Sequence, residues 1–143
     1  MDHFEIIYRS KADAYHRMIS AEDADHHLLT ALKEITPLIG KRLLDVGSGT
    51  GRIPLLVRGQ PRRMIAADLH RAMLLQNQAE RDRVSGDWDV VQSDLQLLPL
   101  PADWADLTTA GWVLGHLRSW FSDDWKAHIG AGLREMQRIT AST

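Results

Sequence analysis

Residues 43–52 read Leu-Leu-Asp-Val-Gly-Ser-Gly-Thr-Gly-Arg, an apolar run that passes into three glycines at alternate positions. The pattern predicts a short strand over 42–46, a turn, and a helix that begins near Gly51. Glycines at such a turn let bare backbone approach a bound molecule, and the free N–H groups at the start of the helix point towards it. The stretch therefore predicts a ligand-binding turn between a parallel strand and a helix.

The spacing of the glycines distinguishes two classes of nucleotide site. A dinucleotide-binding fingerprint, G-x-G-x-x-G, would place its third glycine at position 52, where this chain has Arg52. The chain instead has D-x-G-x-G-x-G, with Asp45 inside the strand. The arginine argues against a nicotinamide-dependent oxidoreductase, which stays as an alternative.

Length and composition predict one ordinary domain. The chain has 143 residues, of which 44% are hydrophobic and 25% charged, the balance of a soluble globular protein. A net charge of -2 with mixed signs disfavours a nucleic-acid or membrane partner. The lack of cysteine excludes a disulfide framework and a zinc–thiolate site. No signal peptide or run of roughly 18 apolar residues is recognisable, so we expect a cytoplasmic protein.

Two further strands are each followed or closed by a carboxylate. The uncharged run after Arg63 ends at Asp68, and a third strand over 88–92 is followed by Asp94. Parallel strands bring their carboxyl ends to one edge of a sheet, so Asp45, Asp68 and Asp94 are expected to lie at one crevice. A carboxylate at Asp68 can accept hydrogen bonds from both ribose hydroxyls. The alternative is that Asp68 caps the next helix, which begins near residue 70.

These motifs together resemble class I S-adenosylmethionine-dependent methyltransferases. The resemblance rests on the D-x-G-x-G-x-G turn, on residues 68–74, which read Asp-Leu-His-Arg-Ala-Met-Leu, and on Asp94. It implies S-adenosylmethionine as the cofactor, with Asp68 on the ribose and Asp94 on the adenine. The full set of cofactor-binding residues that it implies is Asp45, Gly47, Ser48, Gly49, Gly51, Asp68, Leu69, Asp94 and Leu95. No metal is expected, since the adjacent His26 and His27 would point about 100° apart on a helix.

The resemblance also implies an architecture. We expect an α/β, Rossmann-like parallel sheet of about four strands in the order 3-2-1-4, flanked by helices, as a truncated class I methyltransferase fold. Residues 1–143 would form a single cofactor-binding domain, and residues 1–35 would form an N-terminal helical lid with Tyr8 and Tyr15 near the methyl group. Residues 107–111 would be the fourth strand.

The segment after the fourth strand is where the resemblance places the methyl acceptor, expected to be a small molecule. Residues 111–117 read Gly-Trp-Val-Leu-Gly-His-Leu and lack the N/D-P-P-Y/F segment of some members that methylate amines or nucleobases. His116 is the only titratable side chain among them, and a histidine can act as a general base near neutral pH. The alternative is a hydrogen-bonded structural histidine.

The resemblance covers only the front half of that fold. Four strands would leave the fourth as an exposed edge, which is an association hazard for a parallel sheet. A fragment of a longer protein, a homodimer that covers the edge, and a minimal form are the three explanations. The alternative function is a truncated, catalytically incompetent module for cofactor binding or protein interaction.

Overall fold

A computed structural model describes residues 3–23 and 27–142 of the chain. The elements within these residues are α1 (His3–Ser10), α2 (Ala12–Ser20), α3 (His27–Ile35), β1 (Arg42–Val46), α4 (Arg52–Val57), β2 (Arg63–Asp68), α5 (Arg71–Arg83), β3 (Asp89–Gln92), β4 (Leu107–Thr109), α6 (Leu114–Trp120) and α7 (Trp125–Ile139). None of these helices combines the length and the apolar character that a membrane crossing requires. The strands alternate with helices from β1 onwards, as in α/β domains.

The four strands form one parallel sheet in the order β3-β2-β1-β4. In its register, Asp45 lies opposite Thr109 of β4, and Asp68 lies opposite Gln92 of β3. The predicted Rossmann-like order 3-2-1-4 is thus confirmed. Because all strands are parallel, their carboxyl ends lie at one edge of the sheet, and the predicted site residues follow them there.

Successive side chains of β1 and β2 point into two hydrophobic layers on opposite faces of the sheet. Leu43 and Met64 belong to a core that includes residues of α3 and α4. Leu44 and Ile65 belong to a second core that includes residues of α6 and α7. Burial on both faces explains why these strands are continuous apolar runs rather than alternating ones.

The N-terminal segment consists of short helices, which the predicted lid over 1–35 contains. Helices α1 and α2 pack against α5 and bring Tyr8 and Tyr15 to the carboxyl edge of the sheet. Asp23 accepts a hydrogen bond from the Leu28 amide in the first turn of α3. Residues 24–26, and with them His26, lie outside the described residues.

The outer edge of β4 is partly covered. Just before β4, Ala105 forms a parallel bridge with Thr140, which follows α7. The Ala105 N–H donates to the Ile139 carbonyl at 2.9 Å, and the Ala141 N–H donates to the Ala105 carbonyl at 2.8 Å. The hydroxyls of Thr108 and Thr140 are 2.7 Å apart. The strand expected as an exposed edge is therefore half-buried, because the segment after α7 lies beside its start.

Candidate functional site: a crevice at the carboxyl edge of the sheet

Two adjoining cavities open over the glycine turn. The Asp68 cavity, of about 110 Å³, lies at the ends of β2 and β3. The Asp45 cavity, of about 220 Å³, lies at the end of β1 against α2. The residues that line both are Tyr8, Tyr15, Gly47, Gly49, Gly111, Trp112 and His116. Because they share these walls, the two cavities form the two ends of one crevice.

The crevice lies where the strand order reverses. From β1 the chain adds β2 and β3 on one side of the sheet and then crosses to β4 on the other. Ligands of open parallel sheets bind at such a switch point. The two loops that leave it touch at Gly47, where a Cβ atom would lie 2.5 Å from Cβ of Val113, and Gly47 has a φ of +66°. Only glycine fits there without displacing the second loop.

The glycine turn is held by its neighbours through its backbone. The Ser48 N–H donates to the Ala67 carbonyl at 2.9 Å, and the Gly49 N–H donates to the Asp68 carboxylate at 2.8 Å. The fully buried Asn77 of α5 donates to the Gly49 carbonyl at 3.2 Å. The turn therefore has its shape without a ligand, which reduces the ordering cost of binding.

Gly51 has a different position from the other glycines of the turn. It precedes α4 with a φ of +97°, and a Cβ atom there would lie 3.0 Å from Oδ1 of Asn77. Among the described residues that line the two cavities, Gly51 is not included. The missing side chain lets Asn77 approach the turn, and the same Oδ1 accepts a hydrogen bond from Trp88 Nε1 at 2.8 Å.

Asp45 is a buried carboxyl at the end of β1. It is 2% exposed and lines the Asp45 cavity together with Ser48. Burial raises its pKa to about 7, while hydrogen bonds from Thr109 and Ser48 lower it and the charge of Asp68 raises it. Thr109 Oγ1 lies 2.7 Å from the carboxyl, directly across from it on β4. The strand-end carboxyl can therefore carry a charge or a proton near neutral pH.

Asp68 joins the two predicted roles that the sequence left open. One carboxylate oxygen accepts from the Gly49 N–H, and the other accepts from the His70 N–H at 2.8 Å, at the start of α5. The carboxylate thus serves the helix start as well as the glycine turn. It also lines the Asp68 cavity. A carboxylate oxygen has two acceptor positions, so each can still accept from a ligand hydroxyl.

The remaining predicted cofactor residues lie together in the Asp68 cavity. Leu69, Asp94 and Leu95 all line it. Asp94 has an exposed side chain that accepts from the Gln96 amide at 2.8 Å. Leu95 is 8% exposed and packs against Gly132, whereas Leu69 is 45% exposed.

His116 lies on the opposite wall, on α6. Its Nε2 is 2.7 Å from the hydroxyl of Tyr8, so the bond joins α1 to α6 across the crevice. Its ring stacks on Trp120 with 5.6 Å between the centroids. Tyr15 meets Tyr8 edge to face, and burial raises the pKa of the Tyr15 hydroxyl. The structural alternative for His116 is thus partly realised, and the ring still lines both cavities.

Trp112 has a strained backbone at the mouth of the crevice. Its φ is +62°, an uncommon conformation for a bulky side chain, and its residue is 59% exposed. The predicted strand over 107–111 ends at Thr109, so Trp112 lies in the loop before α6. The guanidinium of Arg52 lies 4.2 Å from the centroid of its ring. Arg52 itself lines the Asp45 cavity.

Asn77, Thr109 and Arg52 were not among the predicted site residues. Asn77 lies in a polar stretch of α5 that gave no sign of burial, and its partners lie 28 and 29 positions earlier in the chain. Thr109 could have been found only from the strand register. The position of Arg52 in the motif did carry a signal, but we used it only to argue against a dinucleotide site.

Comparison with known proteins places this crevice in a wider group. A family model described as a methyltransferase domain matches residues 44–142. That range begins inside β1 and includes every predicted cofactor residue. No sequence among the curated proteins matches the chain.

Three solved structures each cover more than nine tenths of the chain. A protein of Methanococcus maripaludis has a TM-score of 0.73 at 20% identity and is matched over 94% of this chain and 60% of its own. An S-adenosylmethionine-dependent methyltransferase of Clostridium acetobutylicum has a TM-score of 0.67 at 17% identity, over 92% and 52%. Phosphoethanolamine N-methyltransferase 1 of Haemonchus contortus, solved with phosphoethanolamine and S-adenosylhomocysteine, has a TM-score of 0.63 at 17% identity, over 95% and 30%.

At these identities the structures show a shared fold. The chain spans between 30% and 60% of the length of these three proteins. All three contain the arrangement described above as a part of a longer chain.

Proposed function

This chain belongs to the methyltransferase domain family, and we propose that it binds S-adenosylmethionine and transfers the methyl group to a small-molecule acceptor. The observation that carries the proposal is the crevice at the strand-order switch point, where the glycine turn meets the Asp68 carboxylate. We keep cytoplasmic location as a prediction.

The residues that line the crevice fit the chemistry of this cofactor. A Cβ atom on Gly49 would meet only Tyr15, at 4.0 Å, so the space above this glycine is open. Asp68 offers acceptor positions for ribose hydroxyls, and Asp94 offers one for the amino group of adenine. Leu69 and Leu95 supply apolar contact area for a flat base. We therefore assign the adenosine part to the Asp68 cavity and the amino-acid part to the Asp45 cavity.

Bound S-adenosylmethionine supplies a methyl group on a positively charged sulfur. The protein contributes position and proton transfer. Tyr8, Tyr15 and Trp112 form the wall that excludes water from the shared part of the crevice. His116 is our candidate to take the proton of an acceptor hydroxyl at a ring nitrogen, with Tyr8 as the hydrogen-bond partner that orients the ring.

The N-terminal helices are proposed to act as a lid. Tyr8 reaches α6 through His116, and His16 of α2 reaches the glycine turn through a 2.8 Å contact with the Thr50 hydroxyl. These contacts hold α1 and α2 over the crevice, so a ligand can enter when they open.

A second candidate function is binding without transfer. It is favoured by one observation, that the chain spans at most 60% of the length of the solved structures compared with it. A homodimer that covers β4 is part of our original expectation. The bridge between Ala105 and Thr140 leaves less of that edge to cover.

Calorimetric titration with S-adenosylhomocysteine tests the cofactor, with NAD as the comparison ligand. We expect micromolar binding of S-adenosylhomocysteine and none of NAD. Asp68→Ala should weaken this binding by roughly tenfold or more, because a charged hydrogen-bond partner is worth about 1.5–3 kcal/mol. Arg63→Ala is the matched control, since Arg63 is an exposed residue at the opposite end of β2.

Circular dichroism of both variants checks that the fold is intact. Stabilisation by NAD alone would contradict the proposal and favour an oxidoreductase. Binding of S-adenosylhomocysteine with no methyl transfer from S-adenosylmethionine to a broad panel of hydroxyl and amine acceptors would favour the binding module.

A further inference from the structure

Arg52 is the first residue of α4, and its side chain extends to the mouth of the Asp45 cavity. Nη1 donates to Oε2 of Glu22 at 2.5 Å, and the guanidinium lies over the Trp112 ring. The Arg52 side chain is 17% exposed, whereas that of Glu22 is 47% exposed. The arginine is thus positioned from two sides, and its carboxylate partner lies at the solvent end of the cavity.

The charges along the crevice are unevenly distributed. Among the described residues that line the two cavities, Arg52 is the only lysine or arginine. The Asp45 cavity also contains the Asp45 carboxyl, buried at the end of β1. A cavity with one carboxyl and one guanidinium complements a ligand that carries both an ammonium and a carboxylate group.

Glu22 can be replaced at Arg52 at low cost. Its half-exposed carboxylate can return to water, so its release leaves no buried charge unpaired. Trp112 holds the guanidinium in place during the exchange, because arginine stacks on aromatic faces. The planar guanidinium can then receive another carboxylate in a two-point contact.

We propose that Arg52 binds the amino-acid carboxylate of S-adenosylmethionine in exchange for Glu22. The proposal rests on the proposed function and deepens it, since it assigns a binding role to the position where a dinucleotide site would have glycine. Glu22 then occupies the carboxylate site of the free protein. The ammonium group of the same ligand lies towards Asp45.

The test is calorimetric titration of the full chain with two ligands that differ by one group. S-Adenosylmethionine carries the carboxylate, and decarboxylated S-adenosylmethionine lacks it. No acceptor is present, so a carboxylate on an acceptor cannot produce the effect. The variants are Arg52→Gln, Glu22→Gln and, as the matched control, the exposed Arg63→Gln.

Arg52→Gln should weaken binding of S-adenosylmethionine on the order of 10- to 100-fold, the value of a charge-assisted hydrogen bond. The same variant should bind the decarboxylated ligand as well as the wild type does, or better, because a positive charge is removed. Glu22→Gln should strengthen binding of S-adenosylmethionine and leave the decarboxylated ligand unchanged. Arg63→Gln should change neither affinity.

Equal loss for both ligands in Arg52→Gln would overturn the proposal and show that Arg52 only supports the shape of the cavity. No loss for either ligand would overturn it too. The proposed function fails separately, if the wild type binds neither ligand.

Discussion

The two inner strands and the two outer strands of the sheet surround the crevice differently. β1 and β2 are buried at nearly every position, whereas β3 and β4 are only half-buried or exposed. The inner strands deliver Asp45 and Asp68, both held by donors from the protein itself. The outer strands deliver the more exposed Asp94 and the loop with the strained Trp112.

This difference indicates a division of labour. Buried strand ends hold a ligand in one geometry, because packing on both faces leaves little freedom to move. Half-exposed strand ends carry loops that can differ or move at lower cost. We therefore expect the cofactor to be positioned by the inner strands and the acceptor to be selected on the β4 side.

The largest expected effect compares one substitution on the two kinds of strand. Gly47→Ala should destabilise the protein by about 2–4 kcal/mol, because its Cβ would overlap Val113 in a backbone conformation with positive φ. Gly111→Ala, just after β4, is the matched control, since a Cβ atom there would have no neighbour within 4 Å. Urea unfolding measures both. Equal costs would show that the inner loop adapts as easily as the outer one.

A second test uses the buried carboxyl of the inner strand. The pKa of Asp45 is about 7 in the folded protein against an ordinary value of 3.8, so the folded state binds the proton more tightly. Its contribution to stability is complete below pH 4 and is lost as the pH rises towards 7. Relative to the wild type, Asp45→Asn should therefore gain roughly 1–3 kcal/mol between pH 4 and 8.

Thermal unfolding at a series of pH values gives this comparison. Thr109→Val should move the pH range of the wild-type loss upwards, because the Thr109 hydroxyl lowers the pKa of Asp45. A difference between Asp45→Asn and the wild type that does not change with pH would contradict the assigned pKa.

The smallest effect is expected at the outer edge. The Thr140 hydroxyl donates to the Met136 carbonyl at 2.7 Å, and it can accept from Thr108. Thr140→Val keeps the shape and removes both hydrogen bonds, so we expect a loss of about 0.5–1.5 kcal/mol. Urea unfolding measures it, with Thr30→Val in α3 as an exposed control. A loss as large as that of Gly47→Ala would mean that the edge is as tightly packed as the centre.

Much of the sheet could be predicted from the sequence. β1 and β2 are apolar runs bounded by glycine or acid, and their predicted order and direction are confirmed. Asp45, Asp68 and Asp94 were predicted to share one edge, because parallel strands bring their ends together, and the structure places all three along the crevice.

The contacts that hold the site together could not be predicted in this way. Asn77 looks like a surface residue of a polar helix, and only the packed structure shows that it is fully buried. The break at Lys11 divides a pattern that was compatible with one helix, since both halves have similar periodicity. Arg52 acquires its partners from α2 and from the loop after β4, which are distant in sequence.

The position of Asn77 has a consequence for engineering. Its side chain donates to Ser48 and Gly49 and accepts from Trp88, so a single amide joins the glycine turn, α5 and the residue before β3. Transplanting residues 43–52 into another scaffold would leave that amide behind. A graft that works should carry the whole unit from β1 to β3, with Asn77 and Trp88 included, as one cassette.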